Sequence, residues 1–139
     1  MIDYNPMAAL REFHSTFAPE QDQDALFQKI DRRAQLIDEE HQEVMDALYS
    51  LDRADQGLSS SNNAEAMVDL ASELADLLYV VYGTAEEFGI PLEEVFQEIH
   101  RANMTKLWDD GTIHRNAFGK VIKPPNFQKA DIASVLRKA

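Results

Sequence analysis

Apolar residues recur at helical spacing through most of this chain, and the interruptions mark out the elements. Met7 to Phe17 puts Leu10, Phe13, His14 and Phe17 on one stripe. Pro6 suits the first turn of that helix and Pro19 its end. From about Asp22 to Ala54 a longer pattern carries Leu26, Ile30, Leu36, Ile37, Val44, Leu48 and Leu51, with no glycine or proline inside it. Gly57-Leu58-Ser59-Ser60-Ser61-Asn62-Asn63 is the clearest loop, and Asn62 or Asn63 can cap the helix that follows. That helix is predicted from about Ala64 to Phe88, with Gly89 at the C′ position. Pro91 opens a further helix to about Lys106, in which Val95, Ile99, Ala102 and Asn103 share a stripe. Trp108 to Phe127 breaks the rhythm with Gly111, Gly119, Pro124 and Pro125, and it predicts an extended arm. Asp131 to Lys138 predicts a short terminal helix. The pattern predicts one all-α, four-helix-bundle-like domain over residues 1–139: an N-terminal helix (1–20), a helical core (21–106), and an arm with a terminal helix (107–139).

Two acidic pieces violate that apolar pattern. They are Asp38-Glu39-Glu40-His41-Gln42-Glu43 and Glu73-Leu74-Ala75-Asp76. With about 100° per residue and Glu39 at zero, Leu36, Ala47, Leu51, Val44 and Leu48 fill an apolar arc from roughly 60° to 180°. Glu40 falls near 100°, within the arc, and Glu43 near 40°, on its rim; Glu39 lies just outside. Glu73 and Asp76 share a stripe at the entrance to Leu77-Leu78-Tyr79-Val80-Val81-Tyr82, a run that predicts a helix buried nearly all round. Most acidic clusters on helices are solvated faces, but carboxylates drawn toward a core cost several kcal/mol unless paired or neutralised. Arg32 and Arg33 are the nearest basic residues, a turn or two away. A cluster of hard oxygen ligands suits Mg²⁺ or Mn²⁺, so Glu40, Glu43, Glu73 and Asp76 form a candidate divalent-metal site facing the helix bundle.

Composition narrows the classes. A chain of 139 residues, 45% hydrophobic and 27% charged, is globular and of single-domain size. A net charge of -12 argues against nucleic acid or an anionic membrane as the main partner, and any anionic ligand needs a local correction such as metal ions. The absence of cysteine excludes disulfide and thiolate chemistry and fits a cytoplasmic protein. Met1 to Pro6 has neither a basic nor an apolar leader region, so no signal peptide is expected.

Glu39-Glu40-His41-Gln42-Glu43 followed by Glu73-Leu74-Ala75-Asp76 resembles the EExxE…ExxD signature of the all-α nucleoside triphosphate pyrophosphohydrolases. That superfamily includes MazG-like proteins, dimeric dUTPases and phosphoribosyl-ATP pyrophosphohydrolases. The likeness extends through Glu73–Gly83, through Val95–Lys106 with its Asn103-Met104-Thr105-Lys106 segment, and into Gly119–Phe127. It covers roughly Leu10 to Ile132, nearly the whole chain.

The resemblance implies a MazG-type fold and a reaction in which a nucleoside triphosphate and water give a monophosphate and pyrophosphate. It implies that Glu40, Glu43, Glu73 and Asp76 hold Mg²⁺, with Mn²⁺ as the other hard cation, and that Glu40 or Glu39 orients or deprotonates the attacking water. Asn103 and Lys106 would contact phosphate or sugar, with Arg115, Lys120 and Lys123 in the arm as weaker candidates. His14, Phe17, Tyr79, Tyr82 and Trp108 are candidates to stack on the base, although aromatics at helical spacing are more often core. The N-terminal helix is expected to help enclose the nucleotide. dUTP leads the candidate substrates, ahead of other dNTPs, modified NTPs and phosphoribosyl-ATP, and the expected assembly is a homodimer or a dimer of dimers. Two rival classes stand beside this one. A di-iron bundle needs two Glu-x-x-His motifs, and the nearest here are Asp38-x-x-His41 and Gln97-x-x-His100. A non-catalytic helical dimer would use the acids only to bind metal or nucleotide.

Overall fold

The structure, a computed structural model, describes residues 4–139; Met1–Asp3, where the stretch examined for a leader begins, lie outside the described residues. The elements are α1 (Pro6–Phe17), a 3₁₀ turn (Pro19–Gln23), α2 (Leu26–Asp55), α3 (Asn63–Glu87), α4 (Leu92–Met104) and α5 (Ile132–Lys138). The fold is all-α, as the pattern predicts. Among the described residues the arm forms no strand, only a single antiparallel bridge between Arg115 and Val121. α2 begins four residues later than predicted because Pro19 starts a separate 3₁₀ turn, and the backbone of Asp24 then turns extended.

The helix ends follow local chemistry. Asn5 accepts from the Ala8 N–H, and Pro6 sits in the first turn of α1, where its missing N–H costs nothing. The Gln28 side chain accepts from the Ala25 N–H at the start of α2. Asn62 accepts from the Glu65 N–H and starts α3. α3 stops where Gly89 takes a φ of 65°, a conformation a side chain would strain. Asp131 caps α5 by accepting from the Ser134 N–H.

The chain forms two compact units, Met1–Gly89 and Ile90–Ala139. In the first, α2 and α3 lie antiparallel: Asp55 meets Asn63 near the connecting loop, and Glu87 meets Arg32 and Arg33 at the far end. α1 packs on the C-terminal half of α3, with Leu10 only 3% exposed and Arg11 paired to Glu86. The core is thin. Leu10, Val44, Ala47, Ala66, Leu70 and Ala85 are buried, and among the described residues no large side chain is fully enclosed. The run Leu77–Tyr82 departs from the prediction of all-round burial, for Leu78 and Tyr79 remain 52% and 40% exposed. Hydropathy alone cannot say what covers an apolar residue, and α1 and α2 together cover only part of α3. In the second unit α4 and α5 are joined through Glu98, which pairs with Arg101 and accepts from the Asp131 N–H.

A buried ionic network ties the three helices of the first unit. Glu87, its side chain 7% exposed, accepts from Arg33 Nε and, at 2.7 Å, from Arg32 Nη2. Arg32 Nη1 also donates to Asp24 at 2.8 Å, and Arg33 Nη2 lies 3.0 Å from His14 Nε2. Burial alone would raise the Glu87 carboxyl, but the two guanidinium groups overcome this and hold it below the usual carboxylate range. Removing one partner from such a group strands the others. Glu87→Gln is therefore expected to cost about 3 kcal/mol in urea unfolding at neutral pH. Because the folded carboxyl is depressed, its contribution is present above the unfolded value near 4.5 and is lost as pH falls through the folded one. The acid side of the stability profile should flatten in Glu87→Gln; an unchanged profile would show that the network does not stabilise the fold.

Candidate active site

The middle of the α2–α3 pair holds the acids. Glu40 and Glu43 are one turn apart on α2, Glu73 and Asp76 one turn apart on α3, and the antiparallel packing sets the two pairs opposite each other. One carboxylate oxygen from each of Glu40, Glu73 and Asp76 lies within 4.8 Å of the other two. Glu43 is exposed, yet its charge acts on both Glu40 and Glu73. Asp76 is itself exposed, contrary to its expected place at a buried entrance; it reaches the cluster from the open side of α3.

Glu40 Oε2 and Glu73 Oε2 are buried with no hydrogen-bond partner. Desolvation raises the Glu40 carboxyl above its ordinary value, with Glu43 and Asp76 adding to the effect. Glu73 is raised for the same reason first, and then by Glu43 and Asp76. Among the described residues no lysine or arginine forms an ion pair with any of these acids. Arg32 and Arg33, the nearest basic residues in sequence, are taken up by Asp24 and Glu87. Orphaned buried oxygens, gathered carboxylates and no organic counter-charge fit a hard divalent cation.

One turn along both helices lies a cavity of about 440 Å³. Leu36, four residues before Glu40, and Tyr79 and Val80, three and four after Asp76, form its floor. α1 closes it with Leu10, Phe13, His14 and Phe17, and Gln21, Arg32 and Arg33 supply polar groups. Phe13 meets Tyr79 edge-on, with ring centroids 5.5 Å apart. Carboxylates at one end and aromatic walls at the other describe a site for a ligand with a charged head and a flat ring.

The sequence profile of the phosphoribosyl-ATP pyrophosphohydrolases matches residues 10–103, more than half of the chain. The chain belongs to this family. It is a hydrolase of phosphoric anhydride bonds, within the all-α MazG-like pyrophosphohydrolase superfamily. The match spans both acidic pieces and the helix that carries Asn103. None of the curated proteins compared with the chain matches it.

The other expected site residues fall in different places. Glu39 is exposed and lines an outer groove of α2 with Phe27, Asp31 and Gln35. His14 lines the cavity, as do Phe17 and Tyr79, while Tyr82 is not among the lining residues. Asn103, Lys106 and Lys120 belong to the second unit. There Asn103 and Lys106 flank a small apolar pocket with Met104, Leu107, Ile113 and Val121, and Lys120 is exposed at the tip of the arm. Trp108 stacks on His114 at 4.0 Å. Sequence reasoning missed Phe13 and Gln21 as cavity residues and did not foresee that Arg33 would be buried beside Gly83. Phe13 carried a signal in its spacing to Phe17, which reads equally well as core packing. The pairing of Arg33 with Glu87, 54 residues apart, had none.

Glu40 and Glu73 are raised on folding. Their contribution to stability is therefore fully present below about pH 4.5 and is lost as pH rises through the folded values. Metal-free Glu40→Gln is expected to melt at or above the wild-type temperature at pH 8, because one repelling charge is gone. Adding Mg²⁺ should raise the wild-type melting temperature and do so much less in the variant. Equal responses to Mg²⁺ in a calorimetric comparison would remove Glu40 from the metal site.

Proposed function

We propose that this protein hydrolyses a nucleoside triphosphate to the monophosphate and pyrophosphate, using divalent metal held by Glu40, Glu43, Glu73 and Asp76. The observation that carries the proposal is the pair of orphaned carboxylate oxygens, Glu40 Oε2 and Glu73 Oε2, one helical turn from an aromatic cavity. A triphosphate chain seated at the acids would place its nucleoside toward Phe13, Phe17 and Tyr79, with His14 at the polar edge. Mg²⁺ is the preferred ion of this reading, and when bound it would neutralise the phosphates and lower the pKa of a coordinated water. Water attacks the α-phosphorus in line, the bond from that phosphorus to the bridging oxygen breaks, and pyrophosphate leaves with the electron pair. The water's proton passes to a carboxylate. Glu40 suits that role better than Glu39, since it is drawn into the helix pair and holds a proton more readily than an ordinary carboxylate. Asn103, Lys106 and Lys120 are proposed to contact phosphate or sugar.

The substrate proposed first is dUTP or another deoxynucleoside or non-canonical triphosphate, with a house-cleaning role in the cytoplasm. The family match favours phosphoribosyl-ATP as the second reading. A panel of canonical, deoxy and damaged triphosphates together with phosphoribosyl-ATP, assayed for pyrophosphate release with Mg²⁺ and with Mn²⁺, decides between them. Glu40→Gln is expected to lower turnover by at least about 100-fold, the equivalent of about 2.7 kcal/mol of lost charge stabilisation. Tight nucleotide binding with no pyrophosphate from any member of the panel would point instead to a non-catalytic metal and nucleotide binder.

The proposed assembly is a homodimer, or a dimer of dimers. Leu48, Tyr49, Met67, Val68, Leu74 and Leu78 are large apolar side chains left exposed along α2 and α3, more than a monomer ordinarily shows to water. Light scattering should give at least twice the chain mass of 15.8 kDa. A purely monomeric protein at micromolar concentration would reject this part of the proposal.

A further inference from the structure

The buried network at the end of the helix pair reaches the cavity through Arg32 and Arg33, and Arg33 meets His14 there. Arg33, 6% exposed, donates through Nε to Glu87 and lies with Nη2 3.0 Å from His14 Nε2. A guanidinium can only donate, so the lone pair of that contact belongs to His14 Nε2 and the ring proton to Nδ1. Nδ1 makes no hydrogen bond among the described residues, and His14 lines the cavity.

Arg33 has little freedom to give up this contact. Arg32 Nη2 occupies the other oxygen of Glu87, and Asp24 holds Arg32 in turn. Across the cavity wall Gly83 is buried in α3. A Cβ there would stand 2.8 Å from Arg33 Nη1 and 3.5 Å from His14 Nε2. The missing side chain is thus what admits the guanidinium to this position. Helix interiors ordinarily disfavour glycine by roughly 1 kcal/mol, so its presence inside α3, four residues before the helix ends, needs such a reason.

We propose that Arg33 is a positioning residue that fixes the His14 proton on Nδ1, and that this N–H is the donor by which the cavity selects a nucleobase presenting a carbonyl oxygen or unprotonated ring nitrogen. The inference rests on the reading above that the base enters this cavity. Burial and the Arg33 charge both disfavour a second proton on His14, against weaker opposing effects from Glu87, Glu86 and Asp22, so the ring stays neutral at physiological pH. Glu86 is itself paired with Arg11. A neutral ring with a fixed tautomer discriminates between base edges, whereas an imidazolium would donate from both nitrogens.

The test uses the full chain labelled with ¹⁵N-histidine. Long-range ¹H–¹⁵N spectra at pH 7.5 should show His14 protonated at Nδ1 and bare at Nε2. A non-hydrolysable α,β-imido deoxynucleoside triphosphate with Mg²⁺ should shift the Nδ1–H signal. Gly83→Ala keeps every charge but displaces Arg33, and it should move the proton toward Nε2, as should Arg33→Met. Both variants, and His14→Phe, should raise KM for the preferred nucleotide about tenfold, the worth of one hydrogen bond, with a much smaller fall in kcat. Their preference among bases should flatten, while inhibition by inorganic triphosphate stays as in wild type. Should Arg33→Met fail to fold, Gly83→Ala and His14→Phe still decide the matter. An Nε2–H tautomer in the wild type, no Nδ1–H shift on nucleotide addition, or unchanged base preference in Gly83→Ala and His14→Phe would overturn the proposal. Absence of pyrophosphate release from the wild type would instead refute the hydrolytic reading, and the tautomer and nucleotide-shift measurements would stand apart from it.

Discussion

Burial of charge between α2 and α3 is the constraint on which the first unit depends. A carboxylate taken from water must be paired, protonated or metal-bound, and this helix pair meets the requirement in two ways. At one end Glu87 is satisfied within the protein by Arg32 and Arg33. Three turns along α3 toward its start, Glu73 and Asp76 meet Glu40, and among the described residues no lysine or arginine pairs with them. The same helices therefore carry a completed ionic network and an incomplete one. The first gives its carboxylate two guanidinium partners; the second leaves buried oxygens available to a ligand.

The division also orders the cavity between them. Arg32 and Arg33 are the basic residues that could have neutralised the acids, and Glu87 and Asp24 draw them away. That diversion leaves the acidic cluster without a counter-charge from either arginine and brings a guanidinium beside His14 at the far wall. α1 completes the enclosure, anchored by Leu10 against α3 and by the Arg11–Glu86 pair. A thin core of small and medium side chains leaves much of the apolar surface of α2 and α3 uncovered.

Much of this architecture was legible in the sequence. Helical periodicity, Pro6, Asn62, Gly89 and Asp131 located the helices to within a few residues, because caps and breakers act through neighbouring backbone groups. The conflict between Glu40 and its apolar arc was legible for a similar reason: a helix projects residues i and i+4 to one side whatever surrounds it. The EExxE…ExxD spacing then tied two such conflicts together, and the family match agrees with that likeness.

Local pattern determined the elements, the acidic stripes and the all-α class, since each depends on residues within a turn or two of one another. Tertiary structure alone decided the rest. It exposed Asp76 and left Leu78 and Tyr79 uncovered, because burial depends on what packs against a face and not on the face itself. It also chose the partners of Arg32 and Arg33. From sequence they were the nearest basic residues to Glu40, a turn or two away on the same helix. The antiparallel return of α3 instead brings Glu87 to them across 55 and 54 residues, and the loss of a side chain at Gly83 gives Arg33 room to stay. Charge pairing in a protein is settled by distance in space, and only the packed chain sets that distance.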